Sequence, residues 1–189
     1  MVSPGAADPR WSLTWEDDVG DGEHVALAGL FAGCFPQARI PFTGARSWSS
    51  GRPELRVIGW HGGRPVAHLG ILRRFLRVAE RDASQLVGDI GLVAVDPDLQ
   101  GRGIGAELLA RSAATLRALD LPFGFLTCGE QVAGFYAASG WVRATGRTRM
   151  VRADGRVQVY GGASMVLPVH ASLDVWPMGC TVDRNGLEV

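Results

Sequence analysis

The chain contains no lysine: all 19 of its basic residues are arginine. That excludes a lysine nucleophile and Schiff-base chemistry. Cysteine is scarce too. Cys34, Cys128 and Cys180 form an odd set without Cys-x-x-Cys spacing, and the four histidines offer no His-x-x-x-His pair. Neither a disulfide framework nor a zinc site is indicated, so no metal is expected and the thiols read as reduced and cytoplasmic. Net charge is also absent, because 19 acidic residues balance the arginines. No overall field draws nucleic acid or an acidic membrane, and the function must lie in a local site. Residues 1–10 are polar and rich in Pro and Gly, without the apolar segment of a signal peptide or anchor, and are expected to form a disordered or extended arm. The 189 residues suffice for one domain, 1–189, with a sizeable core.

What is present is concentrated in Val87 to Ala106, VGDIGLVAVDPDLQGRGIGA. An alternating apolar run stops at Asp96-Pro97, and a glycine-punctuated turn then opens the helical pattern from Glu107 onward. A helix N-terminus exposes unpaired N–H groups and the positive end of the helix dipole, and Gly101, Gly103 and Gly105 remove side chains that would keep an anion away. The result is a phosphate cradle. Two other readings compete. Three close glycines also make a plain flexible turn. GRGIGA also approximates a dinucleotide fingerprint, with Asp120 about 20 residues on. In that fingerprint, however, the third glycine stands one position later and the acid follows a strand, whereas Asp120 closes a helix.

Elsewhere, Trp11, Leu13 and Trp15 alternate as a first strand, and Asp21 to Cys34 carries apolar residues at helical spacing until Pro36. Leu55 to Trp60 and Pro65 to Val78 read as strands turned at His61-Gly62-Gly63-Arg64. After the strand ending at Val95 comes a helix over roughly Gly101 to Ala118, then a strand over Pro122 to Cys128 and a short helix over Gln131 to Ser139. Trp141 onward returns to strands, with a hairpin at Asp154-Gly155 and Val157 to Val169 returning.

Gln100-Gly101-Arg102-Gly103-Ile104-Gly105-Ala106 resembles the pyrophosphate loop of the GNAT superfamily of N-acetyltransferases, and Ala133-Gly134-Phe135-Tyr136-Ala137-Ala138-Ser139-Gly140-Trp141 is similar to a second segment of that superfamily. The resemblance implies an α/β (α+β) fold: a mixed central β-sheet with helices on both faces and a splayed acyl-CoA cleft. It implies acetyl-CoA bound by the loop and by Val93, Ala94 and Val95, with Tyr136 as general acid for the departing thiolate. Sheet-edge homodimers, common in that superfamily, are a further implication. From its central strand through Trp141 the chain also resembles the aminoglycoside 2'-N-acetyltransferases. Where those enzymes carry a glutamate base this chain has Gly91, which leaves Asp89, on the same strand face, as the substitute; an Asp paired with an Arg is the equal alternative.

A longer resemblance, to the nodulation-factor acyltransferase family NodA, rests on PFTGARSW from Pro41, on GRPELRVIG, AHLGILRRFLRV, LPFGF and MVLPV, and on the tail WPMGCTVDRNGLEV. It implies transfer of a fatty acyl group to the free amine of a chitin oligosaccharide. Both resemblances imply a small-molecule amino-sugar acceptor. The regular pyrophosphate loop favours a small acyl-CoA, hence acetyl transfer to an aminoglycoside or kasugamycin-type antibiotic as the leading expectation. The NodA reaction is the alternative, and a non-catalytic CoA sensor is a third. An amino sugar needs carboxylates and an aromatic face, so Arg46, Trp48, Asp183 and Glu188 are the acceptor candidates. The acidic run from Glu16 to Glu23 is explained by helix-terminus electrostatics, and His68 and His170 are read as satisfied strand histidines.

Overall fold

The computed structural model describes residues 8–38, 41–152 and 154–189. Residues 1–7 of the expected arm lie outside the described residues. Arg10 does not belong to an arm: it opens β1 (Arg10–Trp15), which pairs antiparallel with β2 (Leu55–His61). Helix α1 (Asp21–Cys34) starts where the Gly20 N–H donates to the Glu23 carboxylate at 3.1 Å, satisfying one otherwise orphaned donor. Its buried Leu27, Leu30 and Phe31 pack against Ile58, Leu92 and Ala94. β3 (Arg64–Val78) and β4 (Ala83–Val95) form a long antiparallel hairpin, with β3 also paired to β2. Helix α2 (Ile104–Ala118) buries Leu108, Leu109 and Leu116 in a different cluster with Val57, Leu69, Ile71 and Ile90. Adjacent residues Val57 and Ile58 thus join different clusters, which places α1 and α2 on opposite sheet faces.

β5 (Phe123–Cys128) runs parallel to β4, but the two pair only at Gly88–Gly124 and Asp89–Phe125. Beyond Asp89 they diverge. Leu92 sits at φ +51°, and the β3–β4 register shifts between His68 and Gly70, so β4 bulges where it leaves β5. The short helix α3 (Ala133–Ala137) follows β5 after a 3-10 turn at Glu130–Val132, two residues shorter at each end than the pattern suggested.

The chain after Trp141 departs from expectation. In place of two strands it forms β6 (Val142–Arg143), β7 (Thr148–Val151), β8 (Val157–Val159), β9 (Ala163–Pro168) and β10 (Val182–Arg184). The apolar run from Val157 is broken at Gly161-Gly162, and Gly162 lies so close to the Cys128 carbonyl that a Cβ there would come within 2.5 Å of it. The chain therefore crosses to β5, and β9 inserts between β5 and β6, while the β7–β8 hairpin turns at the expected Asp154-Gly155 and joins β10. β10 pairs with the far half of β3, giving the order β6-β9-β5-β4-β3-β10-β7-β8 among the described residues. Thr148 of β7 and Ser164 of β9 meet at 2.7 Å, so the sheet curls back on itself. No helix among the described residues is long and apolar enough to cross a membrane.

Candidate active site

The glycine-punctuated turn and the helix after it form as read, with one adjustment. Gly101 and Gly103 take φ +76° and +86°, which L side chains rarely adopt, so the helix cannot begin at Gly101 and starts at Ile104. Beyond the adjacent residues in the chain, no heavy atom lies within 4 Å of the Cβ position of either glycine. The loop is lined by backbone, at the mouth of a helix of 15 residues. The Gln100 amide donates to the Val95 carbonyl at 3.1 Å and Arg102 reaches the Asp98 carbonyl, which fixes the loop against the end of β4. Gly105 faces Phe135, so α3 packs directly on the first turn of α2 and carries Tyr136 with it.

Tyr136 is 7% exposed and packs edge-on against Phe135 and Trp141. Burial, then the neighbouring Cys128 and Tyr160, push its pKa well above that of an ordinary phenol, so the group is a donor at every working pH. Burial likewise raises the Cys128 thiol and pushes Cys34 up to about 11, which makes neither a thiolate nucleophile.

Val93, Ala94 and Val95 occupy the part of β4 with no β5 partner, so they border the splay. The bulge above them is held from the interior. His68 is fully buried, its Nδ1 is 2.9 Å from the Leu92 carbonyl, and its Nε2 is 3.1 Å from Arg56. A carbonyl only accepts and a guanidinium only donates, so the proton is on Nδ1 and the ring is neutral. Burial, and secondarily Arg56, hold its pKa well below the usual histidine range. Arg56 in turn pairs with Glu16 at 2.6 Å. Within the acidic run, therefore, Glu23 serves the helix terminus and Glu16 neutralises a buried arginine. His170 differs from the sequence reading as well: it lies past the end of β9, exposed, with Nε2 3.0 Å from the Arg117 carbonyl.

Asp89 is the main correction. It is fully buried, with Arg184 donating through Nε and Nη2 at 2.8 and 2.6 Å, and Arg74 Nε is 2.9 Å away. Both carboxylate oxygens are engaged by guanidinium and no route to an acceptor is left, so the carboxylate is a structural counter-ion, the alternative weighed from sequence. Burial alone would depress Arg184, but Asp89 and Glu188 outweigh it and hold its pKa above the usual value. Asp183 is also committed elsewhere. It points to the sheet face opposite Arg184 and pairs with Arg149 at 2.5 Å.

The other tail acid is brought to the cleft. Residues 185–189 lie along the sheet, clamped by Arg74 donating to the Asn185 and Leu187 carbonyls at 2.5 and 2.6 Å. Val189 is buried over Gly91, where a Cβ would come within 2.3 Å of the Val189 carbonyl oxygen; Gly91 stands there because any side chain would displace the tail. Glu188 reaches the other side of the splay, accepting from Thr127 of β5 at 3.1 Å and from Arg184 at 3.2 Å. The loop bearing Arg46 and Trp48 meets the same tail, since Gly51 N–H donates to the Glu188 carbonyl at 2.7 Å. Trp48 is covered by Arg52, 3.8 Å above its ring, and flanked by Arg46 at 5.7 Å. Residues that sequence reading missed complete this corner: Thr127, Arg74, Arg184 and Tyr160. Tyr160 borders a cavity of about 330 Å³ with Arg143, Arg147, Thr148 and Ser164. Only a strand reading of the tail would have found Arg184.

Solved structures with this fold include the GNAT family N-acetyltransferase YhbS from Escherichia coli in complex with CoA, at TM-score 0.62 and 15% identity, covering 100% of this chain and 98% of that one. An acyl-CoA N-acyltransferase from Pseudomonas aeruginosa matches at TM-score 0.58 and 20% identity, over 84% and 99% of the two chains. The fold is thus that of the GNAT acyltransferases. In sequence, the chain is 35% identical to nodulation protein A of Bradyrhizobium elkanii over 209 aligned positions, covering 100% of this chain and 98% of the relative. It is 35% identical to nodulation protein A of Rhizobium tropici over 194 positions, covering 95% and 97%. These relatives lend the aminoglycoside reading no support and favour its alternative. The family model for nodulation protein A matches residues 6–189, and the chain belongs to the NodA family.

Proposed function

We propose that this protein is an N-acyltransferase that moves a fatty acyl group from a pantetheine thioester to the free amine of a de-N-acetylated chitooligosaccharide. The observation that carries the reading is the NodA family match over residues 6–189, a span that includes the tail and the loop that meets it as well as the donor motif. The residues present fit a CoA-type donor. Gln100 to Ala106 offer open backbone at a helix N-terminus for the pyrophosphate, and Val93 to Val95 offer an unpaired strand edge to the pantetheine arm. Bound there, the donor supplies an activated acyl carbonyl and a thiolate leaving group. Tyr136, kept protonated by its burial, hydrogen-bonds or protonates that sulfur. Glu188, and Arg46 and Trp48 in the loop that meets the tail through Gly51, are the acceptor candidates.

The test is thiol release with acetyl-CoA, long-chain acyl-CoA and long-chain acyl-carrier protein against de-N-acetylated chitin oligomers, aminoglycosides and kasugamycin, with product masses recorded. Acylation of the chitin oligomer by a long-chain donor is expected. Acetylation of an antibiotic with no transfer to the chitin amine would refute the proposal and restore the antibiotic reading.

A further inference from the structure

N-acyl transfer needs an acceptor for the proton that leaves the attacking nitrogen, and Asp89 is too deeply paired to be one. We propose that Glu188 is that acceptor, using Oε2 while Thr127 and Arg184 hold Oε1. The assignment rests on the N-acyltransferase reading above and extends it to a catalytic residue.

Three features of the structure carry it. The first is placement. Glu188 belongs to a segment lying over Gly91 of β4, yet its side chain bonds to Thr127 of β5. It therefore spans the two strands just past the point, Asp89–Phe125, where they stop pairing. The second is its hydrogen bonding. Both bonds to the carboxylate, from Thr127 Oγ1 and Arg184 Nη1, end on Oε1, and Oε2 has no partner among the described residues. One oxygen is fixed and the other is presented. The third is exposure. The Glu188 side chain is 40% exposed, whereas the Arg184 that anchors it is 1% exposed and is itself held by the bidentate contact of its Nε and Nη2 with Asp89. Arg184 thus positions Glu188 from below, and Asp89 positions Arg184. Tyr160 is coupled electrostatically both to Glu188 and to Tyr136.

In this arrangement the amine lone pair forms the C–N bond to the thioester carbonyl carbon and the C–S bond breaks. The proton leaving nitrogen goes to Glu188 Oε2, and the sulfur departs with the proton of Tyr136. Solvent exchange returns one proton from Glu188 and supplies one to Tyr136, so amine and thioester become amide and thiol with no other reactant.

Glu188→Gln is the direct test, because a Gln carbonyl oxygen still accepts from Thr127 and Arg184 and the tail keeps its anchor. With the wild type transferring acyl to the chitin amine, kcat of Glu188→Gln should fall about 100-fold or more, the scale of general-base catalysis. Donor affinity and melting temperature should stay at wild-type values. Glu188→Ala should regain part of its kcat when formate is added, a readout that a bracing role does not move. A wild-type kcat in Glu188→Gln overturns the proposal. So does a rise in acceptor KM with kcat preserved, which would make Glu188 a binding residue only, and so does lost kcat without formate rescue. Wild-type protein that transfers to no chitin amine overturns the function reading itself, and this assignment with it.

Discussion

Replacing Asp89 by Asn separates a structural carboxylate from a catalytic one. The substitution preserves size and one acceptor oxygen but removes the only acidic group between two guanidiniums whose side chains are 1% and 7% exposed. Arg74 is already the strained member: burial lowers its pKa, with the Asp89 charge opposing that shift. Removing one partner of a buried ion pair typically costs about 3–5 kcal/mol, because the remaining charge is left uncompensated. For a chain of this length 1 kcal/mol moves the melting temperature by about 2–4 °C, so Asp89→Asn should melt roughly 6–20 °C lower. Urea titration gives the free energy directly. Arg184→Gln should cost a similar amount, and the double variant distinctly less than the sum, with a coupling of about 1–3 kcal/mol. Asp89→Asn that keeps its melting temperature but loses turnover would refute the reasoning, since only a catalytic carboxylate behaves that way.

Two further outcomes are expected. Tyr136→Phe should lower kcat about 100-fold or more with donor affinity unchanged in equilibrium binding, and unchanged turnover would remove its role as acid. His68 has a folded pKa well below its unfolded value of about 6.5, so below that pH the unfolded chain binds the extra proton and stability falls, by up to about 1.4 kcal/mol per pH unit. Urea midpoints from pH 7.5 down to 5 should therefore drop more steeply in the wild type than in His68→Gln, with His24, also lowered by burial, leaving a residual slope in both. Parallel slopes would mean that His68 does not fold neutral.

The glycine turn and the helix it opens were legible because their determinants are local. A loop glycine at φ +86° followed by a helix depends on residues within a few positions of one another, and period and turn chemistry report it. The same holds for α1 and for the β2–β3 hairpin, whose bounds the spacing gave to within a residue or two. β10 had no such signature. It is three residues, Val182 to Arg184, and it is a strand because β3 and β7 flank it, so only the tertiary arrangement defines it. The split of Val157 to Val169 into β8 and β9 was hidden for a related reason: the break at Gly162 is forced by the Cys128 carbonyl, 34 residues away in sequence.

Those long-range placements decide the chemistry on the acceptor side. In the sequence Asp89 reads as the substitute base and Glu188 as an acceptor candidate. They acquire opposite roles from one residue, Arg184, whose position depends on β10. Its guanidinium takes both oxygens of Asp89 with Nε and Nη2, and reaches one oxygen of Glu188 with Nη1. The buried acid is thereby neutralised and the half-exposed one oriented. Gly91 belongs to the same arrangement. A side chain there would displace the tail and Glu188 with it, so in this geometry a carboxylate on β4 at that position and a carboxylate delivered from the tail exclude each other. The glycine of the central strand and the glutamate of the tail are therefore one structural fact, read from two distant places in the chain.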